Sequence, residues 1–80
     1  MLDVETRRIL NFRIRLVEAA LKSCNSGAEV HEVGNMRNVA SLLKSRVYDY
    51  DVKRDDVLPI LERLEKQATE FFRKKYDNGR

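Results

Sequence analysis

The sequence has little of what small proteins use to hold themselves together. Its 80 residues include one cysteine, one histidine, one proline, three glycines and no tryptophan. A single cysteine excludes a disulfide within the chain, and these two residues cannot supply the four Cys and His ligands of a structural zinc site. A chain this short buries only about 60% of its unfolded surface. Close helix packing or a second subunit must therefore stabilise it.

Membrane and export signals are also missing. No segment approaches the roughly 20 apolar residues that a membrane helix needs. The first residues lack the basic stretch followed by an apolar run that marks an export signal. The lone Cys24 is typical of a reducing compartment. We therefore expect a cytoplasmic protein that does not associate with membranes.

The charge balance is mildly basic. Sixteen Lys and Arg against 13 Asp and Glu give a formal net charge of +3, with a pI near 9.2. This charge is too small for a protein that wraps nucleic acid. The excess of Arg over Lys favours bidentate contacts with carboxylates or phosphates, but it does not choose between protein and nucleic acid as partner.

Hydrophobic periodicity predicts helices throughout, in a single all-α domain over residues 1–80. The first helix covers 4–24 with Asp3 as N-cap. Ser26 and Glu29 form a capping box before a short helix that ends at Gly34. Asn35 then caps a helix over 36–48 whose apolar stripe ends in Tyr50. A last helix follows, capped by Asp55 or Asp56, with Pro59 in its first turn. We expect three main helices, one short helix and a dimeric bundle.

The first helix has more apolar surface than a three-helix domain needs. One edge carries Leu10, Ile14, Val17 and Leu21, and a second carries Phe12, Leu16 and Ala20. Together they cover about 200° of the helix, wider than the stripe of an ordinary surface helix. Arg13 falls inside this apolar arc, and Arg46 occupies a similar position in the 36–48 helix. A buried Arg requires an acidic partner, here Asp49, Asp51, Glu65 or Glu70; otherwise its head reaches solvent. We predict an oligomer or partner interface formed by Phe12, Arg13, Leu16, Val17, Ala20 and Arg46.

Residues 28–48 suggest an alternative. A short helix, Gly34 and a second helix have the layout of a helix-turn-helix. Its outer face would present Arg37, Asn38, Ser41 and Lys44, side chains of the types that contact phosphates and base edges. Arg73 and Lys74 near the C-terminus could add to this nucleic-acid face, although cations there also oppose the helix dipole. The local charge is neutral, and Glu29, Glu32 and Asp49 would face a polyanion unfavourably, which argues against this alternative.

No constellation of catalytic residues is visible. Cys24 and His31 could in principle form a nucleophile and base, but Cys24 lies on the apolar side of the first helix, where a free Cys usually packs. We expect neither a metal nor another cofactor. The sequence therefore predicts a non-enzymatic helical protein that binds macromolecules as a homodimer, such as an adaptor, inhibitor or regulatory subunit. A nucleic-acid-binding regulator is the alternative.

Overall fold

Three helices form the fold. The computed structural model describes residues 1–23 and 30–77, which form α1 (Val4–Lys22), α2 (Val30–Arg46) and α3 (Arg54–Asp77), with no strand in those ranges. Each helix contacts the other two, and the molecule measures 45 × 17 × 16 Å. The all-α fold is therefore confirmed. None of the helices among the described residues has the length and hydropathy needed to cross a bilayer.

The start of α1 agrees with the sequence prediction. The Asp3 carboxylate accepts a hydrogen bond from the Thr6 backbone amide at 2.8 Å. It thereby satisfies one of the amides that every helix leaves unpaired in its first turn. The helix ends at Lys22, two residues earlier than predicted. The Ser23 hydroxyl donates to the Ala20 carbonyl at 2.7 Å and completes the last turn. The predicted Ser26–Glu29 capping box lies outside the described residues.

The predicted break at Gly34 is wrong. α2 continues through Gly34 and Asn35 as one helix, so the separate short helix and the Asn35 cap are not formed. Glycine in a helix costs about 1 kcal/mol. Val33 and Met36 on either side of it are buried, and burying one such side chain contributes about 1.5–3 kcal/mol. Core packing on both sides therefore outweighs the glycine, and a helix-turn-helix does not exist within 30–46.

The segment between α2 and α3 is held by two buried valines, Val47 and Val52. α2 ends at Arg46 rather than at residue 48, and the chain turns there, with the Tyr48 and Asp49 amides bonded to carbonyls three residues back. This turn takes Tyr50 out of the apolar stripe in which the sequence placed it, and its side chain is 78% exposed.

The start of α3 also differs from the prediction. The helix begins at Arg54, before both aspartates proposed as its cap. Asp56 instead lies inside the first turn and accepts a hydrogen bond from the Lys53 amide at 2.8 Å. Pro59 lies in the second turn of α3 rather than the first, at an exposed position.

The core lies along the common axis of the three helices. Every described residue that is buried is apolar. The spacing of apolar residues over 57–72 predicts one stripe along the last helix. Five of its positions are buried, whereas Ile60 is 43% exposed and Phe72 is partly buried against the core. Leu2, just before α1, also belongs to the core, which the sequence did not indicate. The buried residues are Leu2, Leu10, Ile14, Val17, Leu21, Val33, Met36, Ala40, Leu43, Val47, Val52, Val57, Leu61, Leu64, Ala68 and Phe71.

Candidate interaction surfaces

The two apolar edges of α1 have different environments. The Leu10, Ile14, Val17 and Leu21 edge is buried in the core. The other edge faces solvent: Ile9 is 53%, Phe12 63% and Leu16 55% exposed. We call these three residues the α1 strip. Ala20, predicted with them, is half-buried next to the strip. Val17 was also predicted in the interface, but at 7% exposure it packs inside the chain and is not available to a second subunit.

Arg13 forms an ion pair within the chain. Its Nε donates to Glu65 Oε2 at 3.0 Å, and its Nη2 donates to Glu65 Oε1 at 2.5 Å. The hydrogen bond with Glu65 raises the pKa of Arg13 above its ordinary value, and the negative charges of Glu65 and Glu62 act in the same direction. Glu65 was one of four acids that the sequence left open. Arg13 thus joins α1 to α3, and its charge is paired within the chain rather than by a second subunit.

The α1 strip lies on the α3 side of α1. Ile9 and Leu16 are four and three residues from Arg13, so they share its side of the helix. On α3, Leu58 and Phe72 lie seven residues before and after Glu65 and are partly buried against the core. The Arg13–Glu65 ion pair therefore lies between α1 and α3, with apolar side chains on both sides of it along the helices. We call this contact region the seam, and the α1 strip borders it.

Arg46 does not join the α1 strip. The side of α2 that faces α1 is marked by Lys44, whose Nζ lies 3.7 Å from Glu18 Oε1. Arg46 is two residues further on, or about 200° around the helix, and so points away from α1. It is exposed, as is Leu42 one turn earlier on α2, and Tyr50, which the sequence placed beside Arg46, lies beyond the end of the helix. The interface residues predicted from the sequence thus lie in four places. Phe12 and Leu16 belong to the strip with Ala20 beside it, Arg13 to the ion pair with α3, Val17 to the core, and Arg46 to the side of α2 that faces away from α1.

The residues of the predicted nucleic-acid face also lie in separate places on the surface. Arg37, Asn38, Ser41 and Lys44 are all exposed on α2. The first three line a groove between α1 and α2 of about 410 Å³, together with Glu18, Lys22 and Gly34. Arg73 and Lys74 are exposed on α3 and do not line this groove.

A cluster around Tyr48 is not indicated by the sequence. The Arg7 guanidinium lies over the Tyr48 ring, 5.5 Å from its centroid. Asn11 Nδ2 donates to the Tyr48 hydroxyl at 2.7 Å. These contacts fasten the turn after α2 to the first half of α1. Asn11 falls on the polar face of the first helix, and helical spacing gives no signal for its contact with a residue 37 positions away.

Groups that could carry out chemistry do not gather in the described part of the chain. His31 is exposed near the start of α2, and Cys24, its proposed partner, lies outside the described residues. In the ranges that the structure covers, no three His, Cys, Asp or Glu side chains are grouped to hold a metal ion. The chain matches no family model, no curated protein and no solved structure.

Proposed function

We propose that this protein is a non-enzymatic binding protein that acts as a homodimer through the α1 strip, as an adaptor, inhibitor or regulatory subunit does. The observation that carries the proposal is the exposure of Ile9, Phe12 and Leu16 along one line of α1. Exposed apolar residues scattered singly are normal on a surface, but a contiguous apolar patch marks an interaction site, and these three residues share one side of α1.

A second copy of the chain fits this strip. Ile9 and Leu16 flank Phe12 at nearly equal distances along the helix, so the strip is close to symmetric about Phe12. In an antiparallel two-fold pairing, Phe12 meets Phe12 of the partner subunit, and Ile9 meets Leu16 of the partner subunit. Ala19 and Ala20 beside the strip are small enough to let the two helices approach closely. The shared interface also adds the apolar burial that an 80-residue chain lacks.

The test is the solution mass of the 9.4 kDa chain, measured by light scattering from low micromolar to submillimolar concentration. We expect a concentration-dependent dimer for the native sequence and a monomer for Phe12→Glu. Leu42→Glu is the matched control, because Leu42 is 70% exposed and lies on α2, away from the strip. It should leave the dimer intact.

Two results would contradict the proposal. A native chain that stays monomeric over the whole range removes the dimer. Equal loss of the dimer in Phe12→Glu and Leu42→Glu shows that the strip is not the interface. Circular dichroism of both variants checks that their helices are intact, which we expect because both side chains are more exposed than buried.

A further inference from the structure

A row of basic residues follows α1 on the side opposite Arg13. Arg8, Arg15 and Lys22 are spaced seven residues apart, so they lie almost in line and about 10 Å from one another. All three are exposed, and no ion pair within the described residues engages them. Arg8 precedes Asn11 by three residues, and Lys22 follows Glu18 by four. Asn11 bonds Tyr48 in the turn after α2, and Glu18 pairs with Lys44 of α2. The row therefore borders α2 and the turn that follows it.

α2 continues this surface. Arg37 lines the groove between the helices together with Lys22, and Lys44 lies beside Glu18. We call Arg8, Arg15, Lys22, Arg37 and Lys44 the basic face. The acidic Glu18 lies on the same side of α1 as Arg15 and Lys22. Its charge is offset by Lys44, whose Nζ lies 3.7 Å from Glu18 Oε1.

The surface of α3 does not share this excess of basic residues. Between Arg54 and Lys74, α3 carries five basic and five acidic residues and has no net charge. Counted in the same way, α1 and α2 together carry eight basic and three acidic residues. The modest net charge of +3 is thus unevenly distributed. Among the described residues, a polyanion would meet an excess of basic side chains between α1 and α2.

The chemistry of the groove favours phosphate over protein carboxylates. Asn38 and Ser41 add hydrogen-bond donors beside Arg37, and Gly34 leaves open space where a ligand can approach the helix. These are the side-chain types that contact the sugar-phosphate backbone. Protein interfaces depend instead on buried aromatic and apolar anchors, and the residues that line the groove include none. The absence of aromatic side chains there also disfavours single strands, which stack their bases on such rings.

We propose that the basic face binds the phosphate backbone of duplex nucleic acid without reading its sequence. This binding does not depend on the helix-turn-helix expected from the sequence, nor on dimerisation through the α1 strip. Because Lys44 is paired with Glu18, about four phosphate contacts remain, and the logarithm of the affinity should fall with the logarithm of salt concentration with a slope near −3.6 on DNA, by about 0.9 per contact. That slope corresponds to a loss of about a hundredfold between roughly 50 and 200 mM salt.

The experiment is fluorescence anisotropy with labelled duplex DNA, duplex RNA, single-stranded DNA and poly-glutamate, each at low salt. We expect binding to both duplexes, weaker binding to the single strand and little to poly-glutamate. Absence of duplex binding at low salt, or tighter binding of either other probe, overturns the proposal. The two duplex arms show which nucleic acid the face prefers, and measurable binding to either one supports it.

Matched variants locate the binding. Arg15→Glu with Lys22→Glu should weaken duplex binding at least tenfold and make the salt slope shallower by about two units. Arg63→Glu with Lys66→Glu changes the net charge equally at exposed positions of α3 and should cost less than threefold. Equal effects of the two pairs mean that net charge alone drives binding, which overturns the assignment. If the Glu variants lose helicity, the corresponding Gln pairs serve the same comparison.

A gain in affinity gives an independent check. Glu18→Gln removes the acidic charge from the basic face and releases Lys44, so duplex binding should tighten by a few-fold. Glu70→Gln makes the same charge change on α3 and should alter affinity much less. If Glu18→Gln weakens binding, or if Glu70→Gln tightens it equally, the basic face is not the binding surface.

Discussion

Arg13 and Glu65 are 52 residues apart in the chain and form a bidentate ion pair between α1 and α3. About a third of each side chain remains exposed, so the charges keep part of their hydration. The pair lies among partly buried apolar residues and fixes how far one helix slides along the other. Because the guanidinium is planar and matches the carboxylate at two points, lysine could not reproduce this geometry.

The first prediction concerns the strength of this pair. Arg13→Gln and Glu65→Gln should each lower the free energy of unfolding by about 0.5–1 kcal/mol, because partly exposed ion pairs are screened by water. Urea denaturation of the two single variants and the double variant forms a double-mutant cycle. The double variant should lose less than the sum of the singles. Additive losses would mean that the contact contributes nothing to stability.

The second prediction concerns Gly34. Because it lies inside α2 and a methyl group there would meet nothing within 4 Å, Gly34→Ala should raise the free energy of unfolding by about 0.5–1 kcal/mol. Urea denaturation measures the change. A left-handed glycine at a helix end, as the sequence suggested, would give the opposite sign. If Gly34→Ala destabilises the protein, the helix breaks at this residue after all.

The same glycine shows where sequence reasoning succeeds and fails. The cap at Asp3, the buried edge of α1 and five buried positions of α3 follow from local spacing, and the structure agrees with them, whereas Ile60 is exposed. The break at Gly34 and the extension to residue 48 depend on weighing a local preference against burial elsewhere. The burial of Val33 and Met36 keeps α2 helical through Gly34. The turn that buries Val47 and Val52 ends α2 at Arg46, before residue 48. Neither set of contacts is visible along the chain.

The interaction surfaces follow the same pattern. The sequence indicated that α1 has two apolar edges, but assigning Val17 to the core and Phe12 to the surface required the positions of the other helices. It left Arg13 with four possible acids, and only the packing of α1 beside α3 selects Glu65. The basic face was missed because Arg8, Arg15 and Lys22 read as the solvent face of one helix. Their proximity to Arg37 arises from the packing of α2.

The third prediction is a pH dependence. Hydrogen bonds from the Thr6 side chain and backbone hold the pKa of Asp3 below its ordinary value. A lowered folded-state pKa means that the cap stabilises the fold above the unfolded pKa of about 3.9. This stability is lost as the pH falls through the lower, folded-state value. In thermal unfolding from neutral to acid pH, the difference in Tm between the native chain and Asp3→Ala should shrink below about pH 4. A constant difference would show that the carboxylate charge does not contribute.

The fourth prediction separates the two proposals by their response to salt. In an antiparallel two-fold pairing of α1, the same edge of each helix lies on the same side of the interface. Arg8 and Arg15 of one subunit therefore come near Arg8 and Arg15 of the partner subunit. Their repulsion is screened by added salt, since the Debye length falls to about 8 Å at physiological ionic strength. Sedimentation equilibrium should show a dimer that tightens with salt, whereas duplex binding weakens. Arg8→Gln with Arg15→Gln should flatten the dependence of the dimer. A dimer that dissociates as salt is added would be held by charge pairs, contrary to an interface built on Ile9, Phe12 and Leu16.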